Sequence, residues 1–150
     1  PIALYMKKDL HQEGDALWSF DYTQPIDAQP IKTGQLGCFG QGKDVCIISY
    51  GNGYYLSRQA EKILAEADIH CTAAIGDIKN VLIVDECRKT GSISEALITL
   101  LIEHDVDYSH RKIERLTAHD SFIPLGAASY EVLPSCELIV EQAKRMVGVH

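Results

Sequence analysis

The chain has 150 residues, 46% hydrophobic and 23% charged, with a formal net charge of −7. That length supports one domain burying roughly two-thirds of its unfolded surface. The negative balance disfavours a phosphate backbone as partner, because the basic residues are scattered and their densest group is only Arg111, Lys112 and Arg115.

Residues 1–43 read as a connector. Pro25, Pro30 and five of the eleven glycines fall there, which interrupts long elements. Residues 2–6, "IALYM", are expected as one short strand. The chain opens at Pro1 rather than Met, so a fragment or processed piece is expected.

From Asp44 the pattern changes. "VCIISYG", Val45 to Gly51, is apolar and of strand length. Tyr54 to Ala67 follows with apolar residues at 56, 60, 63, 64 and 67, a helix face. "IHCTAAI", Ile69 to Ile75, predicts a second strand. "VLIVDE", Val81 to Glu86, predicts a third, apolar on both faces like a buried parallel strand. Ser92 to His104 predicts a helix, with Ser92 and Glu95 as an S-x-x-E capping box. Lys112 to Ala118 alternates like a half-buried strand. Ser135 to Val147 closes the chain as a helix, with Ser135 as N-cap and Gly148 as stop.

This order predicts an α/β sandwich with a largely parallel sheet. One link does not fit. Only Gly76 to Asn80 separates the second and third strands, whereas a parallel crossover takes a dozen residues or more. Either the two strands form an antiparallel hairpin, or a crossover of roughly fifteen to twenty residues is missing near 72–74.

No apolar run approaches the roughly 20 residues of a membrane span, and no signal peptide is visible. Cys38, Cys46, Cys71, Cys87 and Cys136 are odd in number and contain no C-x-x-C pair. Free thiols in a reducing compartment are expected, not disulfides or a zinc site. Bacterial cytoplasm and mitochondrial matrix both fit.

Three stretches contain chemistry-bearing residues. In "DECRKTG", Asp85 and Glu86 end a buried strand, at the sheet edge where sites form in open α/β folds. They could act as a carboxylate pair, or Cys87 as a thiolate helped by Arg88, Lys89 and the helix beginning near Ser92. No histidine is near in sequence to serve as base, so pairing among these charges or an interface role is favoured. In "SYGNGYYLS" two glycines precede a helix and could cradle a phosphate. The third glycine of G-x-G-x-x-G is absent, and so is G-K-[ST], so a tight turn is favoured. In "AHDSF", His119, Asp120 and Ser121 are consecutive. A Ser-His-Asp relay converges from separate segments, so Asp120 or Ser121 reads as a turn-former before "FIPLG". His11, His70, His104 and His110 show no metal spacing.

"GKDVCIISYG", "NVLIVDECRKTGSISEAL", "AHDSFIPLGAAS" and "VLPSCELIVEQAKRMV" together resemble the C-terminal transketolase-like domain. The likeness is to the beta-type half, or a fused alpha/beta form, of the thiamine-diphosphate-dependent decarboxylating component of 2-oxoacid dehydrogenase complexes. "PIALYMKKDLHQ" resembles the stretch that leaves that family's pyrimidine-binding domain. The resemblance implies a three-layer α/β/α sandwich with a mostly parallel five-stranded sheet over residues 44–150. It implies a domain that is inactive alone and binds no cofactor itself, with thiamine diphosphate and magnesium held elsewhere in the parent enzyme. It also implies as partners the sister subunits, in a dimer or heterotetramer, and the lipoyl acyltransferase core. No catalytic, cofactor or metal residue carries over. Glu86, Arg88 and Lys89 are the expected partner-facing charges, since charges at a strand end suit an ion-paired rim. The family's "D-L-R-x-L-x-P" stretch and helix after the second strand are absent here, which points to the same short link. A C-terminal domain of transketolase or deoxyxylulose-phosphate synthase, and a stand-alone phosphate-binding α/β module, are the competing readings.

Overall fold

The computed structural model describes residues 6–19, 32–105 and 107–149. The expected strand at 2–6 therefore falls almost wholly outside the described residues. From Val45 on, four strands and three α-helices follow one another among the described residues: β1 Val45–Ser49, α1 Asn52–Glu66, β2 Cys71–Thr72, β3 Asn80–Arg88, α2 Ile93–His104, β4 Lys112–Ala118 and α3 Cys136–Val147. The sheet order is β2-β1-β3-β4, and every pair is parallel. The fold is thus the expected α/β sandwich with a parallel sheet, but with four strands among the described residues rather than five.

Strand alternation sends successive side chains to opposite faces. Val45, Ile47, Leu82 and Val84 face one way. There they pack against Ala60 and Leu64 of α1 and Ile139, Ala143 and Met146 of α3. Cys46, Val81 and Ile83 face the other way, against Leu97, Ile98 and Leu101 of α2 and Ile75 and Ile78 of the link before β3. All of β3 from Val81 to Asp85 is buried, as its unbroken apolar run requires.

The difficult link is not a hairpin. β2 is only two residues long, and it pairs with Val45 and Cys46 at the start of β1. β3 begins opposite Val45 on the other side of β1. The hairpin is therefore excluded: β2 and β3 never pair, and both run parallel to β1. Residues 73–79 need only step across one strand, about 10 Å, with almost no return along the strand axis. The strand expected over 69–75 is only two residues long, and the chain before β1 lies along its outer side. Gly42 N–H donates to the Cys71 carbonyl at 3.0 Å, and Ala73 N–H to the Phe39 carbonyl at 2.9 Å. Gly42 permits this approach, since a Cβ there would fall 2.1 Å from the His70 carbonyl carbon.

The connector also docks on the domain. Asp15 accepts from the N–H groups of Leu10, His11, Gln12 and Leu17, and Asp9 accepts from Gly14 and Ala16. Partial burial pushes the Asp15 carboxyl up, but those backbone donors outweigh it and hold it well below the usual range. The loop so tied is fastened to α1. Tyr55 hydroxyl donates to the Asp9 carbonyl at 2.9 Å, and Trp18 stands edge-on to the Tyr55 ring at 4.8 Å.

Candidate functional site at the carboxyl edge of the sheet

The carboxyl ends of β1, β3 and β4 gather the residues singled out in "DECRKTG", "YGNGYY" and "AHDSF". Each of the three carboxylates there is engaged by the fold itself.

Asp85 is fully buried. One oxygen accepts from Cys87 N–H at 2.8 Å and the other from Ser94 N–H, inside the first turn of α2, at 3.2 Å. Burial pushes its pKa up, but these donors, the nearby Tyr50 hydroxyl and the Ser92 and Ser94 hydroxyls outweigh it and bring the pKa down to about 2. The same proximity and burial push the Tyr50 phenol upward. Tyr50 lies near enough to sense the Asp85 charge but outside good hydrogen-bond geometry, and its hydroxyl and that of Ser49 are buried without a partner.

Asp85 replaces the expected capping box. Ser92 is the N-cap residue of α2, yet its side chain makes no cap hydrogen bond and meets the Ser94 hydroxyl at 2.8 Å instead. Glu95 reaches back to Gly91 N–H at 2.9 Å rather than to Ser92. A strand carboxylate can displace a local cap because it brings a full charge to the positive helix end. At α3 the expectation holds: Ser135 Oγ accepts from Leu138 N–H, and Gly148 ends the helix at φ 81°.

Glu86 turns towards α1. Its Oε1 lies 3.4 Å from Asn52 N, the first residue of that helix. Gly51, at φ 57°, leaves space for it, since a Cβ there would stand 3.0 Å from the same oxygen. A carboxylate of the chain thus stands where a bound phosphate would have to sit. Arg88 donates to the Thr90 carbonyl and is exposed, as is Lys89. Of the three expected partner-facing residues, Arg88 and Lys89 face solvent and Glu86 is half-buried against a helix. The expected mutual pairing of the carboxylates with Arg88 is not seen. Cys87 is exposed, and burial of its thiol together with the Asp85 charge pushes it up, away from thiolate.

Asp120 accepts from Thr90 N–H at 2.8 Å and from the Thr90 hydroxyl at 2.6 Å, tying the ends of β3 and β4 together. The Thr90 donors hold its pKa below the ordinary carboxylate value. His119 and Ser121 are joined only through their main chains, so no relay forms. The basic trio is also spoken for. Arg111 pairs with Asp105 at 2.5 Å, Lys112 with Glu114 at 3.5 Å and Arg115 with Glu95 at 3.8 Å.

The edge does not suit thiamine diphosphate with magnesium. Among the described residues no group of three or more His, Cys, Asp or Glu is placed to hold a metal ion. Both helix starts at this edge already carry a carboxylate, so a diphosphate would meet Asp85 and Glu86 rather than free N–H groups. No described helix is long and apolar enough to cross a membrane.

Two surfaces escaped the reading of the sequence. The loop after β4 exposes Phe122, Ile123 and Leu125, and the face beside the shortened β2 holds an apolar cavity. Neither is periodic, so neither left a pattern to find.

No family model matches the chain, and no curated protein matches it. A solved structure described as "Split gene transketolase, inactive beta4 tetramer" is similar, with a TM-score of 0.58 and 16% identity over 73% of this chain. The match covers 41% of that chain, so the present sequence spans well under half of its length. At this identity the likeness shows the transketolase-type fold alone.

Proposed function

We propose that this chain is the C-terminal assembly and partner-docking domain of a thiamine-diphosphate-dependent 2-oxoacid dehydrogenase of pyruvate or branched-chain type. The parent enzyme oxidatively decarboxylates a 2-oxoacid and passes the acyl group to lipoyl, with thiamine diphosphate and magnesium held by its other domains. The observation that carries this reading is the sheet edge just described. Asp85, Glu86 and Asp120 all approach backbone N–H groups of neighbouring elements, so these three carboxylates are engaged by the fold rather than held free as acid or base. Such an edge suits cohesion and contact rather than turnover. The four sequence stretches support the same reading, and the fold likeness supports a domain of transketolase type.

A second reading is the equivalent domain of a transketolase itself, favoured by the name of the solved neighbour. One titration separates the two. Under the dehydrogenase reading the chain binds a lipoyl acyltransferase core, and exchanging exposed Arg88 and Lys89 for glutamate weakens that binding about tenfold or more at low salt. Unchanged affinity in the double variant removes these residues from the interface. No binding by the unaltered chain favours the transketolase reading.

A further inference from the structure

We propose that the loop after β4 of one copy inserts into the apolar groove beside β2 of another, so that copies of this chain associate head to tail. This rests on the reading of the domain as an assembly module.

The loop is a knob. Phe122 is 99% exposed, Leu125 94%, Tyr130 78% and Ile123 57%. Between Asp120 and Glu131 it carries no charged residue. Aromatic side chains bury roughly 150–250 Å² each when covered. With two aromatic and two aliphatic groups, the knob offers on the order of 500 Å² of apolar surface. That is near the upper end of what a monomer leaves exposed, and it is most of the roughly 800 Å² per partner that a stable interface buries.

The groove is the matching hole. It has a volume of about 590 Å³, and its walls include Phe39, Ile48, Tyr54, Leu97, Leu100 and Leu101. It exists because β2 stops after Thr72, which leaves β1 beyond Cys46 without a strand on that side among the described residues. No helix lies between β2 and β3 to cover α2 and the neighbouring sheet face. The charges in its wall are paired: Arg58 with Glu61 at 2.9 Å and Arg111 with Asp105 at 2.5 Å.

Two arguments join knob and hole. Electrostatically, a chain of net charge −7 repels its copies. An uncharged loop meeting a wall whose charges cancel is where that repulsion is least. Topologically, the loop leaves β4 and the groove lies at β2 and β1, the opposite end of the sheet order. A contact between unlike surfaces is heterologous, and it closes into a ring or extends as a filament.

The test uses the chain in analytical ultracentrifugation across a concentration series. Leu125→Asp blocks the knob, and Leu100→Arg blocks the groove. Both positions are exposed enough to leave the core intact, which circular dichroism checks. The unaltered chain is expected to self-associate, and each variant alone to associate about tenfold or more weakly. An equimolar mixture of the two is expected to form a one-to-one dimer, because one good knob and one good groove remain. Association that survives both substitutions overturns this contact and leaves the assembly reading standing. Loss of association in only one variant, or monomeric variants that do not pair on mixing, points to a like-with-like contact and overturns the head-to-tail geometry. A monomeric unaltered chain at every concentration overturns self-association, and the acyltransferase titration then judges the assembly reading separately.

Discussion

The two faces of the sheet receive equally apolar strands and are covered very differently. Val45, Leu82 and Val84 on one face lie under two helices that bury Leu64, Ile139 and Ala143 completely. Cys46, Val81 and Ile83 on the other lie under one helix and the link of residues 73–79. That helix, α2, buries only Ser94 completely and leaves Ile93, Leu100 and Ile102 about half exposed. The sheet makes the same demand on both sides. What differs is the number of crossovers available to meet it. A parallel sheet gains a covering helix from each full crossover, and the step from β2 to β3 supplies none.

The sharpest way to break this comparison is to truncate one aliphatic residue on each side. Ile139→Ala removes a fully buried side chain between α3 and the sheet, and we expect a loss of about 2–5 kcal/mol, much of the stability of a domain this size. Leu100→Ala removes a side chain that is half in solvent, with an expected loss below about 0.5 kcal/mol. Urea midpoints of the two variants measure the contrast. Equal losses would mean that the face under α2 is sealed in solution.

Asp85 sharpens the comparison from the electrostatic side, since it fastens the poorly covered helix to the sheet. Its pKa is brought from 3.8 down to about 2 in the folded chain. A group whose folded value is depressed contributes stability above the unfolded value and loses it as pH falls through the folded one. Asp85 should therefore contribute about 2 kcal/mol above pH 3.8 and lose it progressively as pH falls from 3.8 to about 2. Asp85→Asn keeps the shape and removes the titration, so its stability should vary less with pH across that window. Equal acid sensitivity in the two chains would remove Asp85 as the anchor of α2.

Much of this was legible in the sequence where local pattern decides. The buried run Val81–Val84, the alternation of Lys112–Ala118 and the Ser135 and Gly148 boundaries of α3 are set by the residues themselves, and each appears where it was expected. The errors fall where distant segments compete. Ile69–Ile75 has the composition of a full strand, but only Cys71 and Thr72 pair with β1, and the distant chain at Phe39–Gly42 runs beside them. Ser92 and Glu95 have the spacing of a capping box, but Asp85 arrives from β3 and takes the helix end. The carboxylates of "DECRKTG" were legible as an edge cluster. Their individual partners were not, because Asn52, Ser94 and Thr90 are brought to them only by the fold.

The two helix starts offer the smallest and cleanest contrast. α3 is capped by its own Ser135, whose Oγ accepts from Leu138 N–H at 3.3 Å, whereas the Ser92 hydroxyl makes no cap bond to α2. Removing a working cap costs about 1 kcal/mol. Ser135→Ala should therefore destabilise by about that amount. Ser92→Ala should lose only the contribution of its hydroxyl to the Asp85 cluster, about half as much or less. Hydrogen exchange at the first amides of each helix is the direct readout. Protection should fall at α3 in the first variant and hold at α2 in the second. If Ser92→Ala instead loosens the start of α2, then Asp85 does not hold that helix alone, and the link from the sheet to its poorly covered face is shared with the local turn.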